Sequence, residues 1–439
     1  MVGTPALLTH QAHMQSQATA EKPTLPLRIF TPAVIGWALY DLANTIFSWN
    51  IISVYLPLWV VTDMGGRDGD YGLANSFSMA LMFVSAPLIG ALSDQAPRRL
   101  PFLIVTTLVC VTFTALIGTG GLLLSLAFFV VANYFYQAGL IFYDALLAEV
   151  STEENRGKIG GLGIGLGYLG SFIGLATGSL ILSLDPAGKP TIFKATAALF
   201  LLFALPCFLF VPERPRPVEP FGVDAVGRAL RQLRQTAARA ARYRGLGRFL
   251  IGRVFYTDAA NTVIAFMGIY ATREVGFPQR QIELLLGSGI VAAIVGGLLW
   301  GTVVDRLGPK RTLDLVLGLW LLTFAIAVAI PALGLPGGLF WLVAPMAGAS
   351  LGGTWAADRP LMLRLSPPRY LGQFYGLYAM VGRFAAIMGP LLWTAVVDWL
   401  QLGRPAAVAT LLLMVVIALV ILRPVDDRPR RWTAEELAA

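Results

Sequence analysis

Two short stretches put carboxylates where an apolar helix should run. Residues 37–49 read WALYDLANTIFSW, and residues 256–264 read YTDAANTVI. Both carry the pattern Asp, x, x, Asn, Thr: Asp41, Asn44 and Thr45 in the first, Asp258, Asn261 and Thr262 in the second. Residues three and four apart share a helix face, so each set forms a polar stripe. An ionisable residue deep in an apolar segment is costly and marks a cavity or an ion path by default. The chemistry open to these stripes is binding of a substrate or a coupling proton. The alternative is that each aspartate satisfies backbone groups or a neighbouring arginine and never changes state.

Arg253 and Arg383 are the cations placed to answer these carboxylates. A buried carboxylate beside an arginine stays ionised, and one separated from it is driven to bind a proton. Arg383 could equally take a substrate carboxylate, which would suit an amino acid, or hold two helices in a static pair. Asn133 and Gln137 lie one helical turn apart and offer hydrogen bonds for substrate, with Trp355 as an aromatic neighbour.

These residues must be held by elements that live in lipid. Of the 439 residues, 56% are hydrophobic and 13% charged, with a mean hydropathy of +0.69. Soluble chains are about a quarter charged, so the chain is expected to be an integral membrane protein with the bilayer as its partner. A span needs about 20 apolar residues. Twelve such runs occur, at 34–61, 74–93, 101–120, 123–146, 159–183, 190–211, 249–272, 282–304, 312–334, 338–361, 373–397 and 404–423. A polar, arginine-rich stretch divides them six and six. The expected organisation is a flexible cytosolic tail at 1–33, a six-helix bundle at 34–211 and an amphipathic linker at 212–248. A second bundle at 249–423 and a cytosolic tail at 424–439 complete it. No cleavable leader is read in the first 33 residues.

Most of the 33 lysines and arginines fall on the side of the tails and the linker, and only Arg67, Lys189, Arg273, Arg280 and Arg404 on the other. That bias puts both termini in the cytoplasm, and a bacterial inner membrane is the expected location. It also accounts for the +8 net charge through topology and lipid headgroups rather than nucleic acid. Cys110 and Cys207 lie inside apolar runs with no metal-ligand spacing, and neither a metal nor a cofactor is expected. Nucleotide, zinc-protease and serine-hydrolase motifs are missing, so no enzyme is expected either.

Three landmarks repeat at nearly one offset: Asp41 with Asp258, Asp94 with Asp305, and Asp144 with Asp358. The two bundles are therefore homologous halves. The second landmark, GALSDQAPRR and GTVVDRLGPKR, joins spans two to three and eight to nine. It contributes Gly90, Asp94 and Arg98, then Gly301, Asp305 and Arg306. With Asp144, Glu149, Arg156, Asp358 and Arg364 it forms an expected charge network closing the cytoplasmic gate. Glycines at four-residue spacing, Gly163 and Gly167, then Gly170, Gly174 and Gly178 on span five, with Gly297 and Gly301 on span eight, suit a close or sliding contact between halves.

The loop pattern, the six-plus-six layout and the inside termini resemble the major facilitator superfamily of transporters. WALYDLANTIFS, FYDALLAEVSTEENRGKIGGLGIGLGYLGS and GQFYGLYAMVGRFAAIMGPLLW resemble its branch of autophagy-related vacuolar amino-acid effluxers and their bacterial relatives. The chain departs from that branch's pattern at Leu42, Asp144 and Ala148, where tryptophan, asparagine and proline are usual. The resemblance implies an all-α fold with spans one, four, seven and ten around a central cavity. It further implies a monomeric secondary transporter that exports small metabolites such as amino acids, powered by protons or by the substrate's own gradient. Movement of a lipid-like amphiphile, and a non-transporting membrane sensor or assembly factor on the same fold, are the other readings.

Overall fold

A computed structural model describes residues 30–66, 68–185, 188–216, 224, 226–231, 243 and 245–428. Most of the expected N-terminal tail, most of the linker and the last residues of the C-terminal tail lie outside the described residues. Every regular element among the described residues is helical. Twelve spanning segments follow in order: α1 Pro32–Thr62, α2 Asp68–Asp94, α3 Leu100–Leu116, α4 Leu122–Ala145, α5 Arg156–Leu184 and α6 Lys189–Phe210. The second half holds α7 Leu246–Arg273, α8 Gln279–Leu307, α9 Pro309–Ala332, α10 Phe340–Leu365, α11 Leu371–Thr394 and α12 Arg404–Leu422.

Local chemistry sets the ends of α1. Thr31 caps it by accepting from the Val34 N–H at 3.2 Å, and Pro32 supplies a first-turn residue that has no N–H to satisfy. Within α1, Ser48–Val54 widens into a π-helix. Side chains from neighbouring helices hold this stretch: Tyr71 donates to the Ile52 carbonyl at 2.6 Å, and the Asn50 amide donates to Thr196 Oγ1 at 2.8 Å.

Each half repeats one packing plan. α1 lies against α5 and α6 as α7 lies against α11 and α12, and α2 packs on α4 as α8 packs on α10. The halves meet along two seams, α5 with α8 and α2 with α11. Both seams are glycine on glycine. A Cβ on Gly301 would sit 2.5 Å from the Gly157 carbonyl oxygen, and one on Gly372 would sit 2.5 Å from that of Gly90. Gly161 likewise meets the backbone of Gly297. The stripe expected to make this seam faces elsewhere: Gly163, Gly167, Gly170, Gly174 and Gly178 pack onto Trp37, Asp41, Leu42, Asn50 and Tyr55 of α1. Gly157 and Gly161 are two residues out of phase with that stripe, so they point to the opposite side of α5. One glycine set seats α1 within its half, and the other joins the halves.

Candidate functional site

The seams are closed at the end of the molecule where the linker begins, here the linker face. There each loop aspartate reaches across to the other half. Asp94 accepts from the Gly372 and Gln373 amides at the start of α11, at 2.9 and 2.8 Å. Asp305 accepts from the Gly157 and Lys158 amides at the start of α5, at 2.6 and 3.0 Å. A carboxylate at a helix N-terminus meets unpaired N–H groups and the positive end of the helix dipole. Asp94 also pairs with Arg99 at 2.6 Å and Arg216 at 3.4 Å. Burial, then the charge of Arg99, lowers Arg216 from the ordinary arginine range. Arg98, the expected member of this group, is exposed, because the chain turns its neighbour Arg99 inward. Arg306 is exposed as well.

A second repeated device stands beside the caps. Glu213 accepts from the Arg99 and Leu100 amides at 2.6 and 2.7 Å, and Asp427 accepts from the Lys310 amide at 3.0 Å. In each half, then, a carboxylate within five residues of the end of the sixth helix caps the third. The sequence carries this as Glu213-Arg214-Pro215 and Asp427-Arg428-Pro429, a fourth landmark of the repeat that the other three overshadow.

Deeper in, α10 places two adjacent charges that face opposite ways. Asp358, fully buried, turns into its own half. Arg253 Nε donates to it at 3.0 Å, Tyr256 at 2.8 Å and Tyr378 at 3.0 Å. The Arg253 guanidinium lies 3.5 Å from the Tyr378 ring centroid. Arg359 crosses to the other half, where Nη1 meets Asp41 at 3.2 Å and Nε meets Asp144 at 3.1 Å. Tyr143, stacked on Trp37 at 4.8 Å and on Tyr40 at 5.1 Å, walls this contact, and Trp37 Nε1 donates to the Tyr143 carbonyl at 3.2 Å.

Several expected groupings change here. Asp41 belongs with Asp144, since one guanidinium holds both. Asp358 stands apart from Arg364, which faces Asp427, because Asp358 and Arg364 lie on different sides of α10. Arg253 answers Asp358 rather than Asp41 or Asp258. Arg359 is the residue that sequence reasoning passed over. Its signal was an arginine inside an apolar run, between Asp358 and Pro360, with no loop to explain it.

The remaining candidates divide between networks and unpartnered groups. Asn133 donates to Ser78 Oγ at 2.7 Å and to Asn75 at 3.1 Å, and Gln137 donates to Asn133 at 3.4 Å, tying α4 to α2. Trp355 reaches the Tyr168 hydroxyl of α5 across the halves. Glu149 and Arg156 are half-buried near the linker face, and Arg156 Nε donates to Ser151 at 3.4 Å. Thr45 donates to the Asp41 carbonyl at 3.1 Å, and Asn261 is half-buried. Neither amide atom of buried Asn44 finds a partner, and neither does the Arg383 Nε. Asp258 and Thr262 are fully buried against the Gly389 backbone of α11, and no side chain among the described residues bonds their side-chain oxygens. Among the described residues no group of His, Cys, Asp or Glu could hold a metal.

Nine helices among the described residues are long and apolar enough to cross a membrane. α3 is a shorter apolar helix, and α7 and α10 carry the charges just described. Residues 71–434 match the family model described as vacuole effluxer Atg22 like. An uncharacterised MFS-type transporter, YxiO of Bacillus subtilis, is 28% identical over 91% of this chain and 96% of its own length. Autophagy-related protein 22-1 of Neosartorya fischeri is 26% identical over 64% of this chain, which spans half of that longer protein. In fold the chain is similar to a bacterial homologue of the iron transporter ferroportin (TM-score 0.70, 17% identity, covering 90% and 99%). It is also similar to the human organic anion transporter MFSD10 (TM-score 0.66, 20% identity, covering 89% and 98%).

Proposed function

This chain belongs to the Atg22-like vacuole effluxer family of major facilitator transporters, and from that premise we propose that it exports amino acids or similar small carboxylates by alternating access. One observation carries the substrate class. Arg383 is half-buried, faces Tyr136 of the other half, and has no carboxylate partner among the described residues. An arginine inside a membrane protein normally pairs with another group or lines a substrate path. A substrate carboxylate would complete it through the paired N–H groups of the guanidinium. Arg383 sits a turn and a half along α11 beyond Tyr378, so such a ligand would rest above the Arg359 contact, between the halves.

The linker face, with its excess of basic residues, lies in the cytoplasm of a bacterial membrane in this reading. The structure is then closed toward the cytoplasm. Export requires a second arrangement in which the two glycine seams part. Proton movement supplies the energy, and the protein works as a monomer.

The test is flux. Purified protein in liposomes is offered labelled leucine, lysine and glutamate, with and without a pH gradient, and compared with Arg383→Gln and Arg383→Lys. Carboxylate recognition predicts a KM at least about tenfold higher for Arg383→Gln, the worth of one lost charged hydrogen bond, with partial recovery in Arg383→Lys. Unchanged KM in both variants would sink the assignment. Absence of flux for every probe would sink the amino-acid reading.

A further inference from the structure

Resting on the transporter reading above, we propose that Asp258 is the group that carries the coupling proton, neutral and sealed in the state described here. The argument is a comparison of the molecule's two halves. In the first, Asp41 and Thr45 of α1 pack on Gly167 of α5, where a Cβ would lie 3.3 Å from Asp41 Oδ2 and 3.4 Å from Thr45 Oγ1. In the second, Asp258 and Thr262 of α7 pack on Gly389 of α11, where a Cβ would lie 2.5 Å from Asp258 Oδ1 and would overlap Thr262 Oγ1. The same residue types meet on pseudo-symmetric helices, although Gly389 lies seven residues beyond Gly382, the repeat counterpart of Gly167.

The halves differ in what else reaches the carboxyl. Asp41 meets Arg359. The repeat that relates Asp144 to Asp358 relates Arg359 to Ala145, so the cation that would answer Asp258 is an alanine. Among the described residues no side chain bonds the carboxyl of Asp258, only the Gly389 backbone approaches it, and the residue is 0% exposed.

Among the described residues no other element compensates. On α7 itself Arg253 and Tyr256 are committed to Asp358 of α10. On α11, Tyr378 serves Asp358 and Arg383 faces Tyr136, leaving the Gly389 backbone against the carboxyl. The charged residue of α12, Arg404, pairs with Glu274 at 3.0 Å. α8 carries Asp305 and Arg306 at the linker face and Arg280 and Glu283 at its opposite end. An ionised carboxylate in such a site would cost many kcal/mol, so the group neutralises by keeping its proton. Release needs water at the carboxyl, hence separation of α7 from α11 at Gly389. The O–H bond then breaks, the proton passes to that water, and the carboxylate left behind is hydrated.

Infrared difference spectroscopy of the whole protein in liposomes tests the protonation directly, without any substrate. Near neutral pH the C=O stretch of a protonated carboxyl is expected in the wild type and in Asp41→Asn, and lost in Asp258→Asn. A spectrum unchanged by Asp258→Asn overturns the proposal. The amide is isosteric with the neutral acid, so the melting temperature of Asp258→Asn should match the wild type, and a large drop would indicate an ionised, partnered carboxylate instead. Flux provides the functional arm with leucine as probe. A unit pH gradient supports about tenfold accumulation per coupled proton. Asp258→Asn should keep leucine exchange between equal pools and lose that tenfold response. A variant that still accumulates leucine with the gradient overturns the assignment while leaving the transporter reading intact. If the wild type moves no leucine at all, the amino-acid reading fails and the infrared result alone decides Asp258.

Discussion

At the scale of single residues, the buried charges sort by whether their demands are met. Asp358 has three donors and Arg253 has a carboxylate, a carbonyl and an aromatic face, so this set is complete within one half. Removing one partner of such a pair strands the other in low dielectric, at about 3–5 kcal/mol. Arg253→Ala should therefore lower stability by about that amount, read from chemical unfolding in detergent. The Arg359 set answers a different need, because it exists only while the halves are together at the linker face. Arg359→Gln should destabilise the fold less than Arg253→Ala and increase labelling of a cysteine placed at Gly160. Equal destabilisation by the two, with labelling unchanged, would show the pair to be static.

At the scale of helices, the close approach of α5 to α8 and of α2 to α11 rests on missing side chains. Between helices in lipid there is no hydrophobic drive, and small residues let backbones make the contact themselves. Gly161→Val should wedge the α5–α8 seam, since its Cβ would overlap the Gly297 carbonyl. The expected result is a longer spin-label distance across the linker face with helix content unchanged. Gly348→Val, in contrast, strikes the backbone of Gly289 inside one half and should impair folding. Helix positions were legible in the sequence because a run of about 20 apolar residues has few other uses. The interface was half legible. A four-residue glycine spacing marks a contact without naming the partner, and the two stripes on α5 differ only in phase. Arg359 shows the same limit. The local pattern displays a charge in a span, while its partners lie far away in the chain, at Asp41 and Asp144. The repeat made Asp41 and Asp258 look equivalent, and each packs on a glycine of the fifth helix of its half, Gly167 or Gly389. What separates them is the substitution of Ala145 for an arginine at one repeat position, which no periodicity reveals.

At the scale of the whole molecule, the linker face is held by a symmetric pair of cross-caps, Asp94 on α11 and Asp305 on α5. Each is a charged acceptor with two backbone donors, a type of contact worth about 1.5–3 kcal/mol per bond. Asp94→Asn and Asp305→Asn should each shift the population toward a parted linker face, and the double variant should shift it further. Double electron–electron resonance across that face would register the change. A double variant with wild-type distances would assign closure to the seams and Arg359 alone.

The glycine seams have a consequence for speed. A contact built from backbone atoms buries little apolar surface and locks few rotamers, so its two states differ little in either. Of the latches that hold it shut, Asp305 is half-buried at the linker face, within reach of ions, where screening acts over about 8–10 Å, whereas Asp94 is buried and screened less. Ionic strength should therefore act as a throttle. Raising salt on the linker side at fixed substrate and pH gradients is expected to speed opening and turnover, while a transporter held shut by interdigitated apolar side chains would ignore it.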